Sequence, residues 1–372
     1  MTGPRRDDAT LSFYVPVSTF TFGLKSKLMI VELQYPTEYV FSSALDEIIF
    51  TASAGPANFC LKMGDAVILD ENYVPDSSGR VVIYDLQKLV EPYLRTNLIE
   101  SFSYTITDGD ASPKNRSFSV QYCAAESSLT ARSFMDQYFL SSLMGEKVTT
   151  SARREFLHLV VTEVTPVTAV CTYWADGSLV VLDKSVTDLN SLNRVVTIEV
   201  SASLFKEEGK ELVKYEIHAG QRRQLYVMDY QCLDVAPALL FTNSFGCQET
   251  FYCTGTHELD PQFSRSASLI GGKLRNYLIE ENRVFSANTG VLNVPMSMWA
   301  DDLFRSREVY LLEDNKADKE ITITESDSKR TNDYDAMYIY TFKYRYAQRN
   351  HNILHLPKAG RVFDFTFDNT FE

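Results

Sequence analysis

The feature that most constrains this chain is a strict alternation of apolar and polar residues, which recurs along much of its length. In residues 102–107, Phe, Tyr and Ile alternate with Ser and Thr, and the pattern resumes in residues 118–122 after an Asp108-Gly109 turn. Side chains of a β-strand point alternately to its two faces, and Gly tolerates the positive φ of a tight turn. The two segments therefore predict a β-hairpin with one buried face.

Similar patterns predict further strands. Residues 167–174 and 179–182 flank an Asp176-Gly177 turn, and residues 239–243 and 249–254 form another candidate pair. Near the end of the chain, five rings share one face of a predicted strand: Tyr338, Tyr340, Phe342, Tyr344 and Tyr346. Phe also alternates with Asp and Thr in residues 363–368. Aromatic stripes at this spacing are typical of the core face of a sheet.

Helical patterns are few and short. The clearest covers residues 129–143, after two serines that are suitable caps, and carries an apolar stripe at helical spacing. Residues 86–94 and 296–304 predict two shorter helices, and Pro92 weakens the first because it removes a backbone donor. We expect all three to cover the ends of sheets.

The length of 372 residues predicts two or three cores, since one domain usually has about 100–200 residues. The predicted fold class is mainly β, with two or three β-sandwich-like domains and a few short covering helices. A polar stretch at residues 145–154 and a Pro- and Ser-containing loop at residues 259–268 suggest the boundaries. The predicted domains are 1–150, an N-terminal domain ending in a helix, then 151–260 and 261–372, and residues 326–335 are expected to form an exposed loop.

The formal net charge of −13 disfavours nucleic acid as a partner, because phosphate binding rests on Lys and Arg. Lys343, Arg345 and Arg349 alternate with tyrosines, which we interpret as one solvated face of a strand. Residues 1–10 lack an apolar segment, which predicts a protein made without a signal peptide. No apolar run approaches the ~20 residues of a membrane helix, so membrane insertion is not expected.

The cysteines are spread over the whole chain, at Cys60, Cys123, Cys171, Cys232, Cys247 and Cys253. In a chain made without a signal peptide, buried free thiols are the preferred interpretation. Cys247 and Cys253 are close enough in sequence to face each other across a hairpin, so a disulfide between them stays an alternative.

No metal-binding pattern is present. The histidines are scattered, at His158, His218, His257, His351 and His355. His351 and His355 are four residues apart, but on a strand their side chains would lie ~13 Å apart, too far to hold one ion.

Catalytic templates also fail. There is no Gly-x-Ser-x-Gly elbow, and the carboxylate pairs Asp108/Asp110, Glu280/Glu281 and Asp301/Asp302 lack the geometry of a glycosidase. Gly271-Gly272 lacks the pattern of a phosphate-binding loop. The sequence therefore predicts a non-enzymatic protein with no catalytic, cofactor-binding or metal-binding residues and no cofactor.

Three stretches of this chain, residues 61–94, 239–251 and 340–347, resemble uncharacterised tail or baseplate-like proteins of Bacteroidetes phages and prophages. The resemblance implies a structural protein of a virion, such as a distal-tail or baseplate subunit, that is made in the bacterial cytoplasm. The implied partners are other copies of the chain and other tail proteins, with a host-surface glycan as a further candidate.

Two other functions stay open. A carbohydrate-binding or adhesin-like module of a gut bacterium would stack sugars on exposed aromatic rings such as Trp174 or Trp299. An enzyme whose site assembles from distant strands, such as a depolymerase attached to a tail, would need a cleft with two carboxyl groups of raised pKa.

Overall fold

The protein was analysed as a computed structural model, which describes residues 30–53, 55–109, 111–230, 236–313, 315–331 and 337–347. Strands make up about 55% of it and helices about 11%. This confirms the prediction of a mainly-β, sandwich-like fold with a few short helices.

The N-terminal part contains eight strands and one helix: β1 Val31–Gln34, β2 Tyr39–Phe41, β3 Ile48–Thr51, β4 Ala57–Met63, β5 Ala66–Tyr73, β6 Arg80–Ile83, α1 Leu86–Val90, β7 Ile99–Thr107 and β8 Lys114–Gln121. They form a three-stranded sheet, β1-β3-β6, and a five-stranded sheet, β2-β8-β7-β4-β5. The apolar faces of both sheets meet in one core, where the rings of Phe59 and Tyr104 stack 5.4 Å apart. The hairpin predicted from residues 102–122 is confirmed as β7 and β8.

The middle part contains α2 Ala131–Gln137, β9 Lys147–Thr149, β10 Phe156–Val161, β11 Thr165–Ala175, β12 Ser178–Leu189, β13 Arg194–Glu199, β14 Glu211–Ala219 and β15 Arg222–Met228. A two-stranded sheet, β10-β13, faces a five-stranded sheet, β12-β11-β14-β15-β9, across a second core. The rings of Tyr215 and Tyr226 stack 4.8 Å apart in this core. The hairpin predicted at Asp176-Gly177 is confirmed as β11 and β12.

The C-terminal part contains β16 Ala238–Thr242, β17 Gln248–Tyr252, β18 His257–Ile270, β19 Lys273–Asn288, α3 Val294–Arg305, β20 Val309–Glu313, β21 Lys316–Asp327 and β22 Thr341–Tyr346. The strands form one seven-stranded sheet in the order β17-β16-β20-β21-β22-β19-β18. Its buried face packs against α3, and the predicted aromatic stripe supplies Tyr340, Phe342 and Tyr344 to this core.

A smaller aromatic cluster joins the three parts. Phe41 of β2, Phe134 of α2 and Phe245 of the β16–β17 turn pack together, with ring centroids 5.0 to 6.0 Å apart. Because each ring comes from a different part of the chain, burying them holds the sheets together.

Some predicted elements differ from the observed ones. The helix predicted over residues 129–143 covers only Ala131–Gln137, since Tyr138 is already extended. The prediction of a loop at residues 259–268 is wrong, because this segment is the central portion of β18. Strand pairing also crosses both predicted domain boundaries: β9 belongs to the middle sheet, and β16 and β17 belong to the C-terminal sheet.

The cysteine side chains in the described residues are free thiols. Cys247 and Cys253 lie just before and just after the single strand β17, so they do not face each other across a hairpin. Burial raises the pKa of both thiols, which keeps them protonated and unreactive. Cys232 lies outside the described residues.

Candidate functional site

The longest hairpin of the molecule, β18–β19, extends beyond the sheet that it belongs to. β19 pairs with β22 only from Phe285 to Asn288, whereas it pairs with β18 along almost its whole length. Residues 260–284 therefore form a two-stranded ribbon, here named the arm. At ~3.3 Å per residue, the eleven steps from Leu259 to Ile270 give it a length of about 36 Å.

The tip of the arm is built by Gly271 and Gly272. Their φ angles are +60° and +72°, as in the tight two-residue turns that match the twist of a hairpin. A side chain at either position would be strained by the backbone conformation, although open space surrounds both residues.

The arm is amphipathic. On β18, Leu259, Pro261, Phe263, Ala267 and Leu269 share one face with one charged residue, Arg265, because alternate residues point the same way. The opposite face of β18 carries mainly acidic, amide and hydroxyl side chains: Glu258, Asp260, Gln262, Ser264, Ser266 and Ser268. On β19 this face carries Phe285, Ile279 and Leu274 together with Asn276 and the ion pair of Arg283 with Glu281, while Val284, Leu278 and, on β18, Ile270 are apolar exceptions on the other face.

This apolar face continues the buried face of the seven-stranded sheet. At its base, Phe285 is buried and its ring stacks on that of Tyr344 at 4.9 Å. Toward the tip no other described residue covers this face, where Leu269 is 73% and Leu274 74% exposed, and Tyr277, at a bulge of β19, is 65% exposed. A two-stranded ribbon is marginally stable alone in water, and contiguous exposed apolar surface marks interaction sites. The arm is therefore the strongest candidate for a binding surface.

The outer half of the arm is basic. Arg265, Lys273 and Arg275 carry positive charge, and no acidic residue lies between Asp260 and Glu280. The whole chain, in contrast, has a formal net charge of −13. The tip therefore favours an acidic surface that also offers apolar contacts.

Another candidate site is a concave one, a cleft of about 390 Å³ where the three parts of the chain meet. Phe156 and His158 of β10, Tyr252 of β17 and Leu98 contribute to its lining. The guanidinium of Arg154 lies 5.0 Å from the Phe156 ring and donates two hydrogen bonds to Glu199. The charges at the cleft are thus paired within the protein.

His158 fixes one wall of this cleft. Its Nε2 lies 2.8 Å from the carbonyl oxygen of Gln248, and its Nδ1 lies 2.8 Å from Oγ1 of Thr197. A carbonyl only accepts, so Nε2 carries the proton and neutral Nδ1 accepts from the threonine hydroxyl. Burial lowers the pKa of His158, so the ring is neutral near pH 7 and joins β10 to the C-terminal sheet.

We expect this histidine to make the protein sensitive to mild acid. Because the pKa is lower in the folded than in the unfolded chain, the unfolded chain binds the extra proton first. The free energy of unfolding should fall as the pH drops below about 6.5, by up to about 1.4 kcal/mol per pH unit. Urea unfolding between pH 7.5 and 5 measures this slope. His158→Gln, which keeps a donor for Gln248, should flatten it, and equal slopes for both proteins would contradict the assignment.

The acidic pairs noted in the sequence have structural partners. Asp108 is buried and accepts hydrogen bonds from the backbone and hydroxyl of Ser53. Asp301 pairs with Arg330 at 2.5 Å, and Asp302 accepts from Ser244. Glu280 and Glu281 lie on the arm, where neighbouring residues point to opposite faces. These pairs do not converge on a cleft, and Asp110 lies outside the described residues.

The other basic, aromatic and histidine residues noted in the sequence do not form a common site among the described residues. Lys343 and Arg345 are exposed and alternate with buried rings, as predicted, and Lys343 pairs with Glu325 at 2.7 Å. Trp174 is 49% exposed, whereas Trp299 is buried and cannot stack on a sugar. Arg349, His351, His355 and residues 363–368 lie outside the described residues.

Metal sites and membrane-spanning helices are both absent from the described residues. No group of three or more His, Cys, Asp or Glu in that part of the chain is arranged to hold a metal ion. The longest helix there has 12 residues, and none is long and apolar enough to cross a membrane.

The arm was missed by the sequence reasoning, although a signal for it was present. Two apolar-polar alternating segments flank Gly271-Gly272, and a Gly-Gly pair between such segments is a hairpin signal. Pro261 and the nearby serines at 264, 266 and 268 instead favour a loop by composition. Pro261 is tolerated because β18 is an edge strand, where a missing N–H leaves no gap in the sheet.

Comparisons with known proteins identify no family. No family model matches the chain, and no curated protein matches it. Among solved structures, one from a 1.5-MDa bacterial ice-binding adhesin is 11% identical and aligns with 70% of this chain and 90% of its own, with a TM-score of 0.15. Immunoglobulin domains 1–5 of Sidekick-1 are 12% identical and align over 70% of this chain and 55% of theirs, with a TM-score of 0.18. At these TM-scores neither similarity informs on function.

Proposed function

We propose that this chain is a non-enzymatic structural subunit that assembles with other copies of itself through the arm. The observation that carries the proposal is the uncovered apolar face of residues 260–284, which continues the core face of a sheet. Among the residues that the structure describes, the tip-proximal part of this face is exposed, so burying it contributes favourably to association.

Charge supports a second copy as the partner. The outer arm is basic, whereas the chain as a whole has a formal net charge of −13, so the arm of one copy is attracted to the surface of another. Part of this attraction acts between exposed charges, and it should therefore weaken as the salt concentration rises. The apolar contacts of the face should persist in salt.

The more specific form of the proposal rests on the sequence resemblance to phage tail and baseplate-like proteins. In that setting the chain is a distal-tail or baseplate subunit of a virion, made in the bacterial cytoplasm, and its partners include other tail proteins. Tail components work as symmetric assemblies of repeated subunits, and a projecting arm is suited to contacting a neighbouring subunit in such an assembly.

The test is the mass of the protein in solution, compared with that of a variant with a shortened arm. Removing residues 263–270 and 273–281 keeps Gly271-Gly272 and joins Gln262 to Asn282, which are already paired. The deleted residues lie outside the three sheet cores, so the variant should keep the melting temperature of the whole chain.

Sedimentation velocity over a range of concentrations should show oligomers for the whole chain and monomers for the shortened one. A whole chain that stays monomeric up to about 100 μM would overturn the proposal, because useful assembly contacts are tighter than this. Oligomers that persist without the arm would place the contact elsewhere.

Trp174 keeps carbohydrate binding as a second candidate. The ring is 49% exposed near the Asp176-Gly177 turn, and Leu179, directly opposite it in the hairpin, is also exposed. An indole with one free face can stack on a sugar ring. A glycan array probed with the whole chain and with Trp174→Ala tests this function. A signal lost in the variant would support it, and silence from both proteins would exclude it.

A further inference from the structure

A depression of about 950 Å³ lies at the base of the arm, where β18 and β19 leave the sheet. In its floor, the backbone of Gly255 and Gly290 packs closely against polar side chains. A Cβ at Gly255 would lie 1.3 Å from Oδ1 of Asn288, and a Cβ at Gly290 would lie 1.8 Å from Oγ1 of Thr254. The Asn288 side chain donates to Thr256 and accepts from the backbone of Gly290. The depression is therefore preformed, since hydrogen bonds hold its floor.

The walls of the depression combine apolar and acidic groups. Val291 and Ile339 line it and are 60% and 50% exposed. Their neighbours Leu292 and Tyr338 pair with each other, which brings the two side chains together. Glu258 and Asp229 also line it, and Asp229 comes from the end of the middle part of the chain. Exposed aliphatic side chains beside carboxylates are suited to an apolar, basic ligand.

The tip of the arm has this complementary chemistry. Leu269 and Leu274 are directly opposite each other on the two strands, and they are the most exposed apolar residues of the arm. Lys273 and Arg275 flank Leu274. The tip therefore presents two leucines on one face and two positive charges on the other, because neighbouring residues of a strand point to opposite faces.

We propose that the arm tip of one copy inserts into the depression at the arm base of the next copy. This inference rests on the proposed function and names the contact that would carry it. The paired strands hold the tip about 36 Å from the base of its own arm, so a chain cannot fill its own depression. The tip instead reaches a neighbour, and the arm sets the spacing between subunits.

Such a contact is heterologous, because two different surfaces meet. Every bound pair leaves one free tip and one free depression, so association continues until a ring closes or a filament forms. A symmetric contact between two arms, in contrast, would stop at a dimer. The two arrangements can be distinguished by mixing two defective variants.

The tip variant is Leu269→Ser with Leu274→Asp, and the base variant is Val291→Ser with Ile339→Ser, which removes the apolar contact without adding negative charge to the depression. All four side chains are at least half exposed, so both variants should fold and melt like the original chain. Each variant alone should be monomeric, because one surface of every contact is damaged. Mixed in equal amounts, they should form a heterodimer that grows no further, since it joins the intact tip of one to the intact depression of the other.

Light scattering after size-exclusion chromatography reads out the mixture, with the unmodified chain run beside it. A mass of two chains from the mixture supports the inference. A monomeric mixture beside an assembling unmodified chain overturns the inference but leaves the proposed function standing. A monomeric unmodified chain overturns both. Sedimentation with vesicles of anionic phospholipid tests a membrane, the other partner that an apolar, basic tip would suit. If the unmodified chain binds the vesicles but does not self-associate, and the tip variant does not bind them, a membrane contact would replace both conclusions.

Discussion

Self-association should weaken at least about tenfold when two aspartates are placed on the apolar face of the arm, as Phe263→Asp with Ile279→Asp. Both side chains are about half exposed in the single chain and lie on the face that we expect a second copy to cover. Taking a large apolar side chain from full exposure to full burial contributes about 1.5–3 kcal/mol, so burying the exposed halves of these two contributes about that amount in total, and about 1.4 kcal/mol corresponds to a tenfold change in affinity. The loss of two such side chains therefore predicts this weakening, and desolvating the new carboxylates adds to it.

The matched control places the same charges on the opposite face. Ser266→Asp with Ser268→Asp alters the net charge equally and lies in the same stretch of the ribbon. If the apolar face forms the contact, the change in the dissociation constant should be at least an order of magnitude smaller for the control than for the face variant. Analytical ultracentrifugation at fixed salt compares the three proteins. Equal weakening by both variants would show that charge alone, not the apolar face, determines association.

The sheets of this protein could be predicted because their signal is local. Alternating residues in β7, β8, β11 and β12 specify which face is buried, and tight turns at Asp-Gly pairs specify which strands are neighbours. The rings of Tyr340, Phe342 and Tyr344 are buried as the stripe predicted. Each of these features can be read within about ten residues of sequence.

The arm shows where this reasoning fails. Serine is a frequent loop residue, and the serines at 264, 266 and 268 outweighed the apolar residues between them. On a ribbon with one face in water, serine is a suitable outward residue, so the same sequence is compatible with a strand. That the hairpin projects beyond its sheet depends on β22 ending at Tyr346, which no pattern within β18 or β19 indicates.

Contacts between distant segments could not be predicted at all. Lys147, in a stretch predicted as a polar boundary, is buried and donates to Glu155 at 2.6 Å and to the carbonyl of Thr250 at 3.1 Å. Its ammonium also lies 4.4 Å from the centre of the Trp299 ring. These groups are up to about 150 residues apart in sequence. Only the packing of β9 against β17 and α3 brings them together.

Trp299 is the centre of this contact and the site of the largest expected loss of stability. The side chain is 1% exposed, and its ring packs on Phe251 at 5.0 Å and Phe241 at 5.7 Å. Its Nε1 donates to Oε2 of Glu249 at 2.6 Å. Burial raises the pKa of Glu249, and the hydrogen bond from Trp299 and the charge of Lys147 partly oppose this shift.

Trp299→Ala should lower the free energy of unfolding by about 3–5 kcal/mol, because it leaves a cavity and removes the donor to Glu249. Trp174→Ala is the matched control, since it removes the only other tryptophan, which is 49% exposed, and should change the free energy by about 0.5 kcal/mol or less. Urea unfolding followed by circular dichroism measures both without relying on tryptophan fluorescence.

A third variant, Trp299→Phe, separates the effect of the cavity from that of the lost hydrogen bond. It keeps an aromatic ring and loses the hydrogen bond to Glu249, and leaving this buried acceptor without its donor costs about 1–3 kcal/mol. If Trp299→Phe is as damaging as Trp299→Ala, the bond to Glu249 is the dominant contribution; if it is nearly silent, aromatic packing is what joins α3 to the sheet.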